Sequence, residues 1–307
     1  MTVEHDEIER TIIMNSQQWF EKGLYLSVGG NQVFVIDTHH DQKSHKPVLC
    51  ILHGFPTSSY DYWKALPLLT QKYRVIIHDH LGFGFSDKPL HYSYSLIEQA
   101  DVALAIWHQL GIKNATLLAH DYGTSVFTEI LARDNIAKQH SFSVPINIEK
   151  VILCNGSMHI ELAQLLLMQK LLRHKTIGPI IAQLSSKSAV SRNLRKIFVN
   201  PNQLSDDEVD SIWTRMNFNQ GKRVIAQISR YTFERQKFWH RWIGALCHTE
   251  HKMNIIWPDK DPIAVKEMAI KIKQETKNSE LFWLENLGHF PMLENAELWA
   301  QQVINCD

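Results

Sequence analysis

Three polar positions follow apolar segments in an order that could support nucleophilic hydrolysis. Asp121 lies between an apolar run ending at Ala119 and a helical pattern beginning at Thr124, with Gly123 two residues after it. The acidic pair Asp259 and Asp261 follows a later apolar segment, and His289 follows the last one. A sharp strand-to-helix turn lifts its apex side chain clear of a sheet, and nucleophile, acid and histidine in this chain order form a hydrolytic triad.

The chemistry follows from the carboxylate at the apex, where serine would be usual. Asp121 can attack a saturated carbon that carries a leaving group, which forms an alkyl ester on this residue. His289 would then deprotonate the water that hydrolyses the ester, and an acid would orient the imidazole. The backbone N–H groups of Phe55 and Tyr122 would form an oxyanion hole for the ester's carbonyl oxygen. Carboxylate, imidazole and water suffice, so we expect no cofactor and no metal.

Structural roles compete with these assignments. Asp is a common helix N-cap, so Asp121 could cap the following helix. The strand directly before it and Gly123 directly after the turn favour the nucleophile role. Asp259 and Asp261 could each cap the next helix, and the spacing alone does not choose between them.

The surrounding pattern predicts an α/β fold. Apolar runs alternate with amphipathic helical patterns, which indicates right-handed βαβ units and a mostly parallel, eight-stranded sheet. In such sheets functional residues lie beyond the carboxyl ends of the strands. Between residues 157 and 247 the alternation stops and only helices are predicted: Glu161 to Arg173, Ser188 to Val199, Asp206 to Met216 and Val224 to Ile243. We therefore expect a core domain of residues 1–156 and 248–307, covered by a helical cap of residues 157–247.

Composition narrows the class of protein. The 307 residues include 32 Lys and Arg and 32 Asp and Glu, so the whole chain has no global field for nucleic acid or an anionic membrane. No apolar run approaches the ~20 residues of a membrane span, and the polar first ten residues are unlike a secretory signal. The four cysteines show no metal-binding spacing. We expect a cytoplasmic monomer or homodimer that acts on a small, largely apolar molecule.

Several motifs resemble one enzyme superfamily over nearly the whole chain. The sequence His53-Gly54-Phe55-Pro56, the loop from Asp79 to Pro89 and the order of the triad resemble α/β-hydrolases in the Asp-nucleophile branch, which contains epoxide hydrolases and haloalkane dehalogenases. The elbow His120-Asp121-Tyr122-Gly123 and the segment from Arg235 to Leu246 look most like the mesoderm-specific-transcript subgroup. The resemblance implies an α/β-hydrolase fold with a cap, and it implies that Asp261 is the triad acid.

The class of leaving group is predicted from the hydrogen-bond donors that the sequence offers near Asp121. An alkoxide leaving group needs an O–H donor, and Tyr231 is the best candidate in the cap. Haloalkane dehalogenases usually place Trp after the nucleophile and Trp or Asn in the loop after the third strand, but Tyr122 and Phe55 occupy those positions here. We therefore expect an epoxide hydrolase-like activity, with a haloalkane dehalogenase-like activity as the alternative. The cap tryptophans Trp213, Trp239 and Trp242 could still replace the missing halide donors.

Further side chains are predicted near the substrate. Arg235 lies one turn after the candidate proton donor, and it could bind an anionic group or pair with an acid inside the cap. His53 and His120 border the oxyanion loop and the elbow, where supporting hydrogen bonds are the simpler role. A carboxylester or lactone hydrolase remains an alternative, as does a non-catalytic binding protein, because fold alone does not define function.

Overall fold

The computed structural model describes residues 13–40, 44–140 and 146–306. The expectation that no secretory signal is present rests on residues outside these ranges. The strands are β1 (Leu24–Val28), β2 (Asn31–Asp37), β3 (Val48–Leu52), β4 (Arg74–His78), β5 (Asn114–His120), β6 (Asn147–Cys154), β7 (Met253–Pro258) and β8 (Ser279–Leu284).

The helices alternate with the strands except between β6 and β7. The α-helices are α1 (Ser16–Phe20), α2 (Leu66–Leu69), α3 (Leu96–Gln109), α4 (Tyr122–His140), α5 (Leu167–Leu172), α6 (Ile177–Leu184), α7 (Lys187–Arg195), α8 (Asp206–Asn217), α9 (Ile225–Ile228), α10 (Tyr231–Lys237), α11 (Trp239–His248), α12 (Lys266–Glu275), α13 (Pro291–Glu294) and α14 (Ala296–Asn305). Short 3₁₀ helices cover Ser59–Tyr62, Pro201–Gln203 and Phe218–Arg223. None of the helices in the described ranges is long and apolar enough to cross a membrane.

All eight strands form one sheet in the order β1-β2-β4-β3-β5-β6-β7-β8. Strand β2 is antiparallel to both of its neighbours, and every pair from β4 to β8 is parallel. The central strands are buried apolar runs because helices cover both faces of the sheet. The predicted fold class is confirmed, and the carboxyl ends of β3, β5, β6, β7 and β8 meet along one edge.

The helices between β6 and β7 differ most from the sequence prediction. The segment predicted as one helix from Val224 to Ile243 is three helices, α9, α10 and α11. The predicted helix Glu161 to Arg173 shrinks to α5, and α6, which contains Gly178-Pro179 in its first turn, was not predicted. Proline is tolerated there because the first N–H groups of a helix have no intrahelical partner.

Candidate active site

The sharp turn after β5 holds the side chain of Asp121 at the carboxyl edge of the sheet. Strand β5 ends at His120 and helix α4 begins at Tyr122, so a single residue makes the turn. Asp121 has φ of 47°, a left-handed conformation that is uncommon outside glycine. A Cβ atom on Gly123 would overlap the carbonyl of Leu52, which explains why glycine follows the apex. The predicted elbow geometry is therefore present.

The carboxylate of Asp121 lies between a backbone donor and an imidazole. The N–H of Phe55 donates to its Oδ1 at 2.8 Å. The Nε2 atom of His289 lies 3.6 Å from its Oδ2. Only 2% of Asp121 is exposed, so the carboxylate is screened from bulk water. The other predicted oxyanion residue, Tyr122, is buried directly after the apex as the first residue of α4.

A second carboxylate fixes the opposite side of the imidazole. The Nδ1 atom of His289 donates to Asp261 Oδ2 at 2.7 Å. Asp261 is held in turn because its Oδ1 accepts the N–H groups of Ile263 and Ala264 at 2.7 and 3.0 Å. Asp259 instead accepts from the N–H of Asn286. Of the acidic pair, Asp261 is the residue that contacts His289.

Asn155 is a site residue that the sequence analysis missed. Its side-chain N–H groups donate to Asp261 Oδ2 and to the carbonyl oxygen of His289, each at 2.8 Å. It also adopts a positive φ, 26°, one residue beyond the end of β6. A polar residue directly after a central parallel strand was the available signal, because that position faces the functional edge.

The charges of these groups depend on one another. Burial alone would raise the pKa of Asp121, but the nearby imidazole and the positive charge of Arg235 hold it well below its usual range. Burial alone would lower the pKa of His289, but the carboxylates of Asp261 and Asp121 outweigh burial and raise it. These interactions thus favour an ionised Asp121 beside a protonated His289 imidazole.

Arg235 was expected to bind an anionic group or an acid inside the helical segment, and the latter expectation is wrong. Its Nε donates to Ser125 Oγ at 2.6 Å and its terminal nitrogen donates to the carbonyl oxygen of Asp121 at 2.9 Å. The side chain is buried and does not line the cavity described below. Arg235 therefore contacts the elbow and is not part of the cavity wall.

The two neighbouring histidines support the site through hydrogen bonds. His53 donates from Nδ1 to the carbonyl of Gly54 at 2.8 Å, and its Nε2 accepts the N–H of His80 at 3.0 Å. His120 donates from Nε2 to the carbonyl of His289 at 2.9 Å. Neither ring lines the cavity, so their positions favour the supporting role over substrate contact.

Tyr231 packs beside the candidate oxyanion residues. Its ring centroid lies 5.6 Å from that of Phe55 and 5.0 Å from that of Tyr122. The guanidinium of Arg235 lies 4.6 Å from the ring. Burial raises the pKa of Tyr231, so its hydroxyl stays protonated and can act as a donor.

An apolar cavity of about 260 Å³ opens above the site. Phe55 and His289 lie at its base, while most of its wall comes from helices between β6 and β7, including Leu166, Ile181 and Leu194. The amide side chains of Gln169 and Asn193 are among its few polar groups. None of Trp213, Trp239 and Trp242 reaches it. Across the described ranges, no group of three or more His, Cys, Asp or Glu side chains is arranged to hold a metal.

Comparison with known proteins agrees with the fold. The family described as alpha/beta hydrolase fold matches residues 47–296, so this chain belongs to the α/β-hydrolase family and is a hydrolase.

Two relatives match over most of their length. LipZ of Mycobacterium tuberculosis, which is named as a hydrolase, is 32% identical over 94% of this chain and 96% of the relative. The human mesoderm-specific transcript homolog protein is 34% identical over 90% of this chain and 83% of the relative. A haloalkane dehalogenase loop variant from Bradyrhizobium elkanii has a TM-score of 0.75 at 20% identity, covering 92% of this chain and 94% of that one. This last likeness concerns the fold alone.

Proposed function

We propose that this hydrolase cleaves a bond at a saturated carbon through an alkyl ester on Asp121, with His289 as general base and Asp261 as its orienting acid. The observation that carries the proposal is an ionised carboxylate, rather than a hydroxyl, at the elbow beneath an apolar cavity. Its Oδ2 lies 3.6 Å from His289, whose other nitrogen donates to Asp261. The N–H of Phe55 already reaches Oδ1, so it is placed to stabilise that oxygen as charge develops during ester hydrolysis.

The charges favour two successive steps. In the first step, ionised Asp121 attacks carbon and the leaving group departs with the bonding electrons. Alkylation neutralises one of the two carboxylates that raise the pKa of His289, so that pKa falls. The neutral imidazole can then take a proton from the attacking water. Asp261 accepts the Nδ1–H and stabilises the imidazolium that forms.

An epoxide is the leaving-group class that we favour. Ring opening releases an alkoxide, which needs a proton donor, and the hydroxyl of Tyr231 stays protonated because burial raises its pKa. Tyr231 does not line the cavity itself, but its ring packs against Phe55, which does. The three tryptophans that could hold a halide also lie outside the cavity wall, and Trp242 donates its N–H to Glu129. Residues 157–247 act as a cap in this proposal, since they supply most of the cavity wall.

A haloalkane dehalogenase-like activity is the second candidate. A halide needs N–H donors, and the amides of Gln169 and Asn193 are in the cavity. Both candidates use the same ester on Asp121, so they differ only in the leaving group. A carboxylester or lactone hydrolase would not need that alkyl ester.

Intact mass of the His289→Gln protein tests the proposal. Without the base, the ester should accumulate when the protein is incubated with a panel of epoxides and haloalkanes. Peptide mapping should place the adduct on Asp121, and the panel member that forms it identifies the leaving group. The double variant Asp121→Asn/His289→Gln is the matched control and should form no adduct. An adduct on another residue, or hydrolysis of an ester substrate by wild type with no adduct in His289→Gln, would overturn the mechanism.

A further inference from the structure

The balanced charge of the chain hides one strongly basic segment. Residues 162–205 contain seven Lys and Arg and no Asp or Glu. Because the whole chain has 32 of each sign, the remaining residues carry a net charge of −7. The basic segment includes α5, α6 and α7, which form much of the cavity wall. Positive charge is therefore concentrated in the helices above the candidate active site.

The same helices expose large apolar side chains. Ile177, Ile180 and Leu184 of α6 are 44%, 61% and 78% exposed, and Leu167 of α5 is 72% exposed. The three α6 residues are spaced i, i+3 and i+7, so they share one face of the helix. Single exposed apolar residues need no explanation, but a grouped set beside a cavity marks an interaction site. We call Leu167, Ile177, Ile180 and Leu184 the apolar face.

The seven basic side chains of the segment differ in their partners, and Arg173 lies over the ring of Phe233, 4.9 Å from its centroid. Lys187 and Arg195 pair with Asp210 and Asp206 of α8, at 2.6 and 2.8 Å. The side chains of four others form no ion pair within the described ranges: Lys170, Lys175, Arg192 and Lys196. Lys170 lies in α5 and Lys175 lies two residues before α6, so two of these charges lie beside the apolar face, between Leu167 and Ile177 along the chain.

The apolar face continues into the cavity. Leu184 is both the most exposed residue of the face and part of the cavity lining. Leu166 and Ile181, which neighbour face residues in sequence, line the cavity as well. Helices α5 and α6 thus present apolar side chains outward and toward the candidate site.

We propose that the apolar face and its flanking cations dock onto an anionic phospholipid surface. An apolar helix face edged by lysine and arginine is the pattern of helices that lie in a membrane interface. A second copy of this chain fits less well, because two such faces would bring their uncompensated positive charges together. Docking would place the cavity entrance at the boundary of the acyl chains, where apolar molecules concentrate. The docking itself does not depend on the proposed chemistry.

Vesicle co-sedimentation tests the apolar part of the proposal. Wild type should bind phosphatidylcholine vesicles that contain about 30 mol % phosphatidylglycerol, and bind pure phosphatidylcholine much more weakly. The double variant Ile180→Asp/Leu184→Asp should lose this binding. The matched control is Ile270→Asp/Leu298→Asp, since these side chains are each 40% exposed on helices outside the basic segment. Binding that survives the first variant, or falls equally in both, would overturn the proposal.

Charge reversal tests the electrostatic part. Lys170→Glu/Lys175→Glu should weaken vesicle partitioning by more than about 25-fold, because each cation near an anionic surface contributes about fivefold. Lys266→Glu/Lys277→Glu, at exposed positions outside the segment, should bind like wild type. Raising the salt from about 0.1 M to about 1 M should also release the protein.

The oligomeric state distinguishes the competing occupant. Wild type should show the same mass as Ile180→Asp/Leu184→Asp in sedimentation equilibrium without vesicles. A wild-type dimer that this variant dissolves, together with no vesicle binding, would assign the face to a second copy and overturn the proposal. Failure to bind vesicles at low salt, with or without self-association, would also overturn it.

Discussion

Replacement of Arg235 by methionine should lower the stability of the fold and also slow the reaction at the elbow. Methionine retains much of the apolar stem but removes the donors to Ser125 Oγ and to the Asp121 carbonyl, at 2.6 and 2.9 Å. Hydrogen bonds from charged groups contribute about 1.5–3 kcal/mol each. The Asp121 carbonyl keeps two donors from Thr124. We therefore expect the free energy of unfolding to fall by about 2–4 kcal/mol, less than the sum of the two hydrogen bonds.

The same replacement should slow the first chemical step. Loss of the guanidinium removes a charge that lowers the pKa of Asp121. It also releases one restraint on a residue held at a φ of 47°. A shift of about 1 Å in a reacting group can cost about 100-fold in rate. We therefore expect alkylation of Asp121 to slow by about 10- to 100-fold.

Single-turnover mass spectrometry in the His289→Gln background would measure this step alone. Arg241→Met is the matched control, because Arg241 also joins the helices between β6 and β7 to α4, through Glu129 at 2.7 and 2.9 Å. Glu129 keeps a donor in Trp242. Arg241→Met should lower the unfolding free energy without slowing alkylation. Equal slowing in both variants, or unchanged alkylation in Arg235→Met, would refute the assignment of Arg235 to the elbow.

Three further changes probe the surrounding structure. Gly123→Ala should lower the melting temperature sharply because its Cβ overlaps the Leu52 carbonyl, whereas Gly244→Ala has no atom within 4 Å of the added carbon and should be neutral or stabilising in a thermal scan. Asn155→Ala should slow ester hydrolysis about 10-fold or more while ester formation changes less, because the variant loses its hydrogen bonds to Asp261 and to the carbonyl of His289. Rapid-quench mass spectrometry separates the two steps. Burial raises the pKa of Glu294 from its ordinary 4.5 to about 7, so wild-type stability should fall relative to Glu294→Gln as pH rises through this interval, measured by denaturant titration.

The fold was predictable wherever local signals agree with the tertiary structure. Ser95 caps α3 and Ser205 forms a capping box at α8, and serine is among the preferred N-cap residues. The strands were recognisable because parallel strands buried on both faces are continuous apolar runs. Helix breaks between residues 224 and 243 were not predictable, because they depend on contacts that α10 and α11 make with α4.

The candidate site divides in the same way. Asp121, His289 and the acidic pair Asp259 and Asp261 were found because strand ends in one sheet converge, whatever their separation in sequence. The choice of Asp261 from that pair came from the family resemblance. Asn155 also lies at the carboxyl end of a strand, and it was missed because an asparagine at that position does not by itself suggest a catalytic role. The partner of Arg235 was not predictable, since no periodicity relates it to a turn 114 residues earlier.

The helices above the sheet are connected to both loops that carry the candidate chemistry. The N–H of His289 donates to the carbonyl of Ile197 at 2.8 Å. Glu294 joins the two parts again, because it accepts the N–H groups of Val199 and Gly288 at 2.9 and 3.0 Å. Arg235 makes the corresponding connection to the elbow. Because buried donors that lose their partners are costly, movement of these helices at a membrane would disturb the histidine loop and the elbow unless the connecting segments stay in place. Substrate entry should therefore depend on α5 and α6, which carry the apolar face, while the segments around Ile197 and Arg235 remain attached to the core.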